Sequence, residues 1–127
     1  MRVLDGSQFL IRIFLGESDR FHHMPLSRAL LERLRREGFA GATVIHGVAG
    51  FGASSVIHTA SLVELSADLP VLVEVVDDEA RVEKLLPILD EMLTGGALVT
   101  MERVRVLKYA AAAKRGSAQD SGKPRTI

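Results

Sequence analysis

The sequence predicts an α+β fold in which a four-stranded antiparallel sheet carries two helices on one face. Three observations carry that expectation. Four segments have strand composition, two have apolar residues at helical spacing, and along the chain they fall in the order β-α-β-β-α-β. With 127 residues the chain suffices for one compact domain, in which a core forms without covalent staples.

The first strand is read at residues 9–15 (FLIRIFL), where Phe9, Ile11, Ile13 and Leu15 point one way and Arg12 lies among the others. A polar link over 16–24 follows, and Pro25 suits the first helical turn. Leu26, Leu30 and Leu34, with Ala29 beside them, form an apolar stripe, while Arg28, Glu32, Arg33, Arg35 and Arg36 make a solvated face. Gly38 closes that helix. Residues 42–48 read as the second strand and 69–76 (LPVLVEVV) as the third. Asp77, Asp78 and Glu79 then place carboxylates at a helix N-terminus, where the exposed amide groups favour negative charge. Val82, Leu85, Leu86, Leu89 and Met92 give the second helical stripe, which Pro87 should bend and which Gly95 and Gly96 end. A last strand falls within 97–109. Its apolar phase moves from Val99 and Met101 to Val104 and Val106, which predicts a bulge or break near Glu102.

Two right-handed crossovers put both helices on one side, giving the ferredoxin-like plait. The third strand is apolar on both sides, with Leu72 and Val76 opposite Val71, Val73 and Val75. One layer of helices hides only one of those sides, so copies of the chain are expected to share the other.

Composition excludes several functions. Apolar residues at 47% and charged residues at 25% are those of a globule. Sixteen basic residues balance sixteen acidic ones, giving no reason to expect nucleic acid or an acidic membrane as partner. There is no cysteine, hence no thiolate metal site and no cysteine nucleophile. No apolar run approaches the roughly 18 residues of a membrane span, and the first residues lack the apolar stretch of a secretory signal, so a cytoplasmic location is expected. Residues 1–109 are read as the domain. Residues 110–127 hold four alanines and then small and polar residues, with four basic groups against one acid. They carry +3, which leaves −3 on the rest of a neutral chain, and are read as a disordered tail.

The segment over 49–68 (AGFGASSVIHTASLVELSAD) is far longer than a hairpin needs. Gly47, Gly50 and Gly52 surround Phe51 at its base, and successive backbone N–H groups in such a stretch can enclose an anion such as phosphate, with Ser54 and Ser55 as further donors. The spacing fits neither the Walker loop nor the dinucleotide fingerprint, because no lysine follows and no helix clearly opens there. A flexible hinge for the long segment accounts for the glycines equally well.

Several short motifs in fixed order resemble a bacterial family known as domain of unknown function 190. They are Gly16-Glu17, Pro25-Leu26, Gly41-Ala42-Thr43-Val44, the run from Gly47 to Gly52, Ile57-His58-Thr59-Ala60, Leu65 to Val71, Glu74 to Asp77, Leu86 to Glu91, and Leu98-Val99-Thr100. The likeness spans about residues 9–109. That family is in turn similar to the PII signal-transduction proteins, trimeric regulators of ferredoxin-like fold that bind adenine nucleotides between subunits and touch transporters or enzymes through a long loop. The resemblance implies that Gly50, Phe51 and Gly52 approach nucleotide phosphates at the loop base, with His58-Thr59 within the loop. It further implies that Thr94, Gly95 and Gly96 begin a phosphate-binding turn, and that Arg103 and Arg105 supply the basic pair near the C-terminus. Members of the family sit near fluoride-exporter genes, which implies a membrane transporter as partner. Three departures matter. Ala53-Ser54-Ser55 stand where PII carries Arg-Gln-Lys, Ala97 and Leu98 follow Gly96 where PII has a basic residue, and no tyrosine lies within 49–68. Fewer cations predict weaker triphosphate binding or a less charged ligand.

A homotrimeric, non-enzymatic regulatory module that binds an adenine nucleotide is therefore the leading reading. Two others compete. One is a small hydrolase or phosphatase built on His58 with Ser54, Ser55 and Asp68, against which all four lie on one loop. The other is a metal-tolerance protein of the same trimeric plan. Of the four histidines, His22 and His23 are adjacent and diverge on any regular element, His46 sits in a strand, and His58 is the best candidate to touch a ligand.

Overall fold

The structure, a computed structural model, describes residues 6–52 and 68–110. Strand β1 (Gly6–Gly16) is followed by a two-residue hairpin of β2 (Arg20–Phe21) and β3 (Met24–Pro25). Helix α1 (Leu26–Arg36), β4 (Thr43–His46), β5 (Pro70–Asp77), helix α2 (Glu79–Met92) and β6 (Leu98–Val106) complete the order. The main sheet runs β4-β5-β1-β6, with every pairing antiparallel. Counting only its four strands, the spatial order is 2-3-1-4, that of the expected plait.

The alternation of β1 and β5 sorts the side chains as the sequence implied. Ile11, Ile13 and Leu15 join Val71, Val73 and Val75 under the helices, and all are buried. Leu26, Ala29, Leu30 and Leu34 of α1 close on them, with Val82, Leu85, Ile88, Leu89 and Met92 of α2. Helix α1 ends in a Schellman pair: Phe39 N–H donates to Leu34 O and Gly38 N–H to Arg35 O, with Gly38 at φ +83°, where a side chain would be strained. Asp78 caps α2 by accepting from Arg81 N–H at 2.9 Å. Asp77 belongs to the end of β5 rather than to the helix. It is fully buried and accepts from the N–H groups of Ala40 and Asp78, each at 2.8 Å.

Four expectations need correction. β6 has no bulge, since its register with β1 is unbroken from Phe14↔Leu98 to Gly6↔Val106. The apolar phase shifts there because Val99 and Met101 lie on the helix side while Val104 lies on the other. Pro25 occupies the N-cap position rather than the first helical turn. The polar link contains the β2–β3 hairpin, turned by His22 and His23, both at positive φ. Arg33 is no part of a free basic face: it is half-buried and pairs with Glu37 (2.9 Å) and Glu91 (3.2 Å), tying α1 to α2, and these two glutamates hold its guanidinium above its ordinary range.

The face of the sheet away from the helices is uncovered in the single chain. A row of Ile45, Leu72, Phe14 and Leu98 crosses all four strands at one end of it. Ile45, Phe14 and Leu98 of that row are exposed. In the middle, Arg12 bridges Glu74 of β5 (3.0 Å) and Glu102 of β6 (2.6 Å), and both bonds raise its guanidinium further above its usual range.

Candidate functional site

Antiparallel pairing brings the end of β1, the end of β4 and the starts of β5 and β6 to one edge of the sheet. The connections at that edge are glycine-rich, and between them lies a cleft of about 660 Å³. One wall is Gly50, Phe51 and Gly52, a second is Gly95, Gly96 and Ala97, and the floor is the end of β1 with Leu98 and Pro70. The cleft thus joins two segments, far apart in the chain, that the sequence had singled out separately.

The loop base can lie flat because it carries no side chains where it meets Pro70. A β-carbon at Gly47 would lie 2.7 Å from Pro70 Cγ, and one at Gly50 would lie 3.0 Å from it. Gly47 N–H donates to Pro70 O at 2.7 Å, so β5 holds the loop base by its backbone. His46 Nδ1 stands 3.7 Å from Glu17 Oε2 beside this junction.

The lining is apolar on one side, through Phe14, Phe51 and Leu98, and rich in backbone on the other. Phe51 is 72% exposed, so its ring face is open to a ligand. Among the described lining residues there is no cation. Two carboxylates are present, Asp19 and Asp68, and backbone amides occupy both: Gly16 N–H donates to Asp19 Oδ2 (2.8 Å) and Ser18 N–H to Asp68 Oδ1 (3.0 Å). Such a cleft suits a flat aromatic group against the phenylalanines and an anion at the glycine amides.

The sequence-predicted residues divide three ways. Gly50, Phe51, Gly52, Gly95 and Gly96 line the cleft, and Thr94 is exposed in the adjoining turn. Arg103 and Arg105 do not join them in the same chain. Arg103 pairs with Phe9, five residues along β6 from Leu98, or roughly 16 Å at strand rise. Its guanidinium lies 4.7 Å above the Phe9 ring and donates to Ser7 Oγ at 2.8 Å. Ser54, Ser55 and His58 lie outside the described residues, and with them the core of the hydrolase reading. Among the described residues no group of three or more His, Asp or Glu could hold a metal ion. Sequence reasoning missed Phe14, Gly16 and Asp19 as lining residues and read Asp68 only as a candidate catalytic group. The closeness of Gly16 to Asp68 depends on strand pairing over fifty residues.

Comparison with known proteins settles the family. The model of DUF190, described as "Uncharacterized ACR", matches residues 8–106. This chain is a DUF190 protein. It is 37% identical over 107 residues to a UPF0166 protein of Aquifex aeolicus, covering 84% of this chain and 98% of that one. A second UPF0166 protein, from Methanocaldococcus jannaschii, is 33% identical over 99 residues, covering 78% and 91%. Among solved structures the DUF190 chain is similar to CPII of Thiomonas intermedia bound to ADP, AMP and acetate. That match has a TM-score of 0.59 at 15% identity, over 84% of this chain and 92% of that one. It is also similar to a putative PII-like signaling protein of Thermus thermophilus, with a TM-score of 0.54 at 19% identity, over 84% and 93%. The fold is PII-like. No helix among the described residues is long and apolar enough to cross a membrane.

Proposed function

We propose that this DUF190 protein is a PII-like regulatory module that binds an adenine nucleotide in the glycine-lined cleft and acts as a cytoplasmic homotrimer without catalysis of its own. One observation carries the reading: the cleft opens onto the uncovered sheet face through Phe14 and Leu98, which belong to both. Copies packed by that face would place the cleft at their junction. The backbone amides of Gly50, Gly52, Gly95 and Gly96 would meet phosphate there, and the ring of Phe51 the base.

The cleft's own charge supports a shared site. An adenine nucleotide needs positive charge near its phosphates, and the described lining supplies only carboxylates already bonded to amides. Arg103 and Arg105, exposed on an edge strand, are the groups a neighbouring copy would bring. With two arginines and no lysine in the loop base, AMP or ADP suits the site better than ATP. The segment over 49–68 would carry the state of the cleft to a partner, and a membrane transporter such as a fluoride exporter is the partner that the family resemblance suggests. The ends of that segment are fixed on the cleft walls, at Gly50–Gly52 and at Asp68.

Equilibrium dialysis against AMP, ADP, ATP and cyclic nucleotides tests the ligand, and light scattering the oligomer. Micromolar binding of AMP or ADP to a trimer, weakened in Arg103→Ala, is expected. A well-folded trimer that binds none of these at millimolar concentration overturns the reading.

A further inference from the structure

We infer that Asp68 is a positioning residue that sets the spacing between the 16–19 turn and the loop base on either side of the cleft floor, and that it ties the end of the long segment to that turn. Three consecutive residues, Asp68, Leu69 and Pro70, join the 16–19 turn to the loop base through different groups. Toward the 16–19 turn, Asp68 Oδ1 accepts from Ser18 N–H (3.0 Å) and Leu69 O accepts from Glu17 N–H (2.8 Å). Toward the loop base, Pro70 O accepts from Gly47 N–H (2.7 Å), and the Pro70 ring packs on Gly47 and Gly50. The turn itself is closed by Asp19, whose carboxylate accepts from Gly16 N–H and whose carbonyl accepts from Leu26 N–H at the start of α1.

Gly16 is shaped to this carboxylate. A β-carbon there would lie 2.5 Å from Asp68 Oδ1 and 2.9 Å from Oδ2, so only glycine lets the carboxylate reach the Ser18 amide past the end of β1. Both oxygens of Asp68 lie within 3 Å of that position, so the carboxylate sits against the turn at the cleft lining. Asp68 is the last residue of the segment over 49–68, and its bond to Ser18 ties that end to the 16–19 turn. A ligand held between Gly16 and Gly50–Gly52 meets a gap whose width this bond sets in advance, and a site ordered before binding loses less entropy on binding.

The effect on nucleotide affinity rests on the functional reading above, but the anchoring does not, so two measurements separate them. Without any ligand, the rate of cleavage after Glu64 by a glutamate-specific protease reads how firmly the segment is held. Asp68→Ala is expected to raise that rate at least fivefold. Asp68→Asn, which keeps an oxygen acceptor for Ser18 N–H, is expected to restore it to within twofold of wild type. In the second measurement, binding of ADP and AMP is expected to weaken about tenfold in Asp68→Ala and to stay near wild type in Asp68→Asn, with the oligomer unchanged. If Asp68→Ala does not fold, Gly16→Ala displaces the same carboxylate from the other side and should give the same pair of effects. Unchanged ligand-free cleavage in a folded Asp68→Ala or Gly16→Ala protein overturns the anchoring. Faster cleavage with unchanged affinity overturns the setting of the cleft. A wild-type protein that binds neither ADP nor AMP overturns the functional reading and leaves the cleavage test of Asp68 standing.

Discussion

The two ends of the sheet are built on opposite principles. At one end the chain closes on itself: buried Asp77 gathers the Ala40 and Asp78 amides, the Gly38 turn finishes α1, and the Tyr109 hydroxyl donates to Ala40 O at 2.7 Å. At the other end, glycines and a proline meet through backbone, large apolar side chains face outward, and a cleft remains. Geometry at the first end is fixed by side-chain hydrogen bonds, two of which reach across 37 and 69 residues of chain. At the second, glycines let backbone meet backbone and the Pro70 ring, and the carboxylates of Asp68 and Asp19 bond to the amides those glycines leave accessible. A closed end resists local opening, and an open one has surface left over to bind with.

The comparison is tested most severely at Asp77. Replacing it with alanine leaves two half-buried amides without the carboxylate that they bond to, so Asp77→Ala should lower unfolding stability by about 2.5 kcal/mol in urea titration. Nucleotide affinity should stay within twofold of wild type, and a large loss would mean that the two ends are not independent. Gly47→Ala probes the opposite end. Its new β-carbon meets the Pro70 ring and should cost about 2 kcal/mol by the same titration, the typical penalty of overpacking, with weaker binding as well. Tyr109→Phe removes one bond to Ala40 O and should cost about 1 kcal/mol, read as a small drop in melting temperature with binding intact. Phe51→Ser is the smallest for stability, within about 0.5 kcal/mol because the ring is already exposed. It should nonetheless weaken AMP binding about tenfold by calorimetry, and so reverse the pattern of Asp77→Ala.

The closed end was only partly legible in the sequence. Gly38 announced its own turn, because a glycine after an apolar stripe has few other uses. Asp77, by contrast, looked like one of three carboxylates at a helix start. Nothing local distinguishes a strand-end carboxylate that bonds to a distant amide from one that caps the next helix. The open end was legible at 50–52, where glycines form an unusual cluster, and at 95–96 only through the resemblance to PII, since two glycines after a helix also serve to end it. It was illegible where lining depends on sheet order, as for Phe14 and Gly16. The bulge predicted at Glu102 failed for a related reason. An edge strand with no helix over it exposes residues on both sides, so apolar phase there says little about which side faces the core. The helices and the long strands were read well because burial on one face imposes a period on them, although Leu86, read into the second helical stripe, is exposed and Ile88 is buried in its stead.

The brace of Arg12 between Glu74 and Glu102 has a consequence for the lone subunit. Ile45, Leu72, Phe14 and Leu98 would by themselves make a sticky plate on which any other sheet could stack, the usual route to aggregates. A guanidinium held between two carboxylates beside that row makes casual stacking costly, since dehydrating such a triad without matching partners costs more than burying the neighbouring apolar surface gains. Any surface that packs there must leave the brace its water or supply it with new partners.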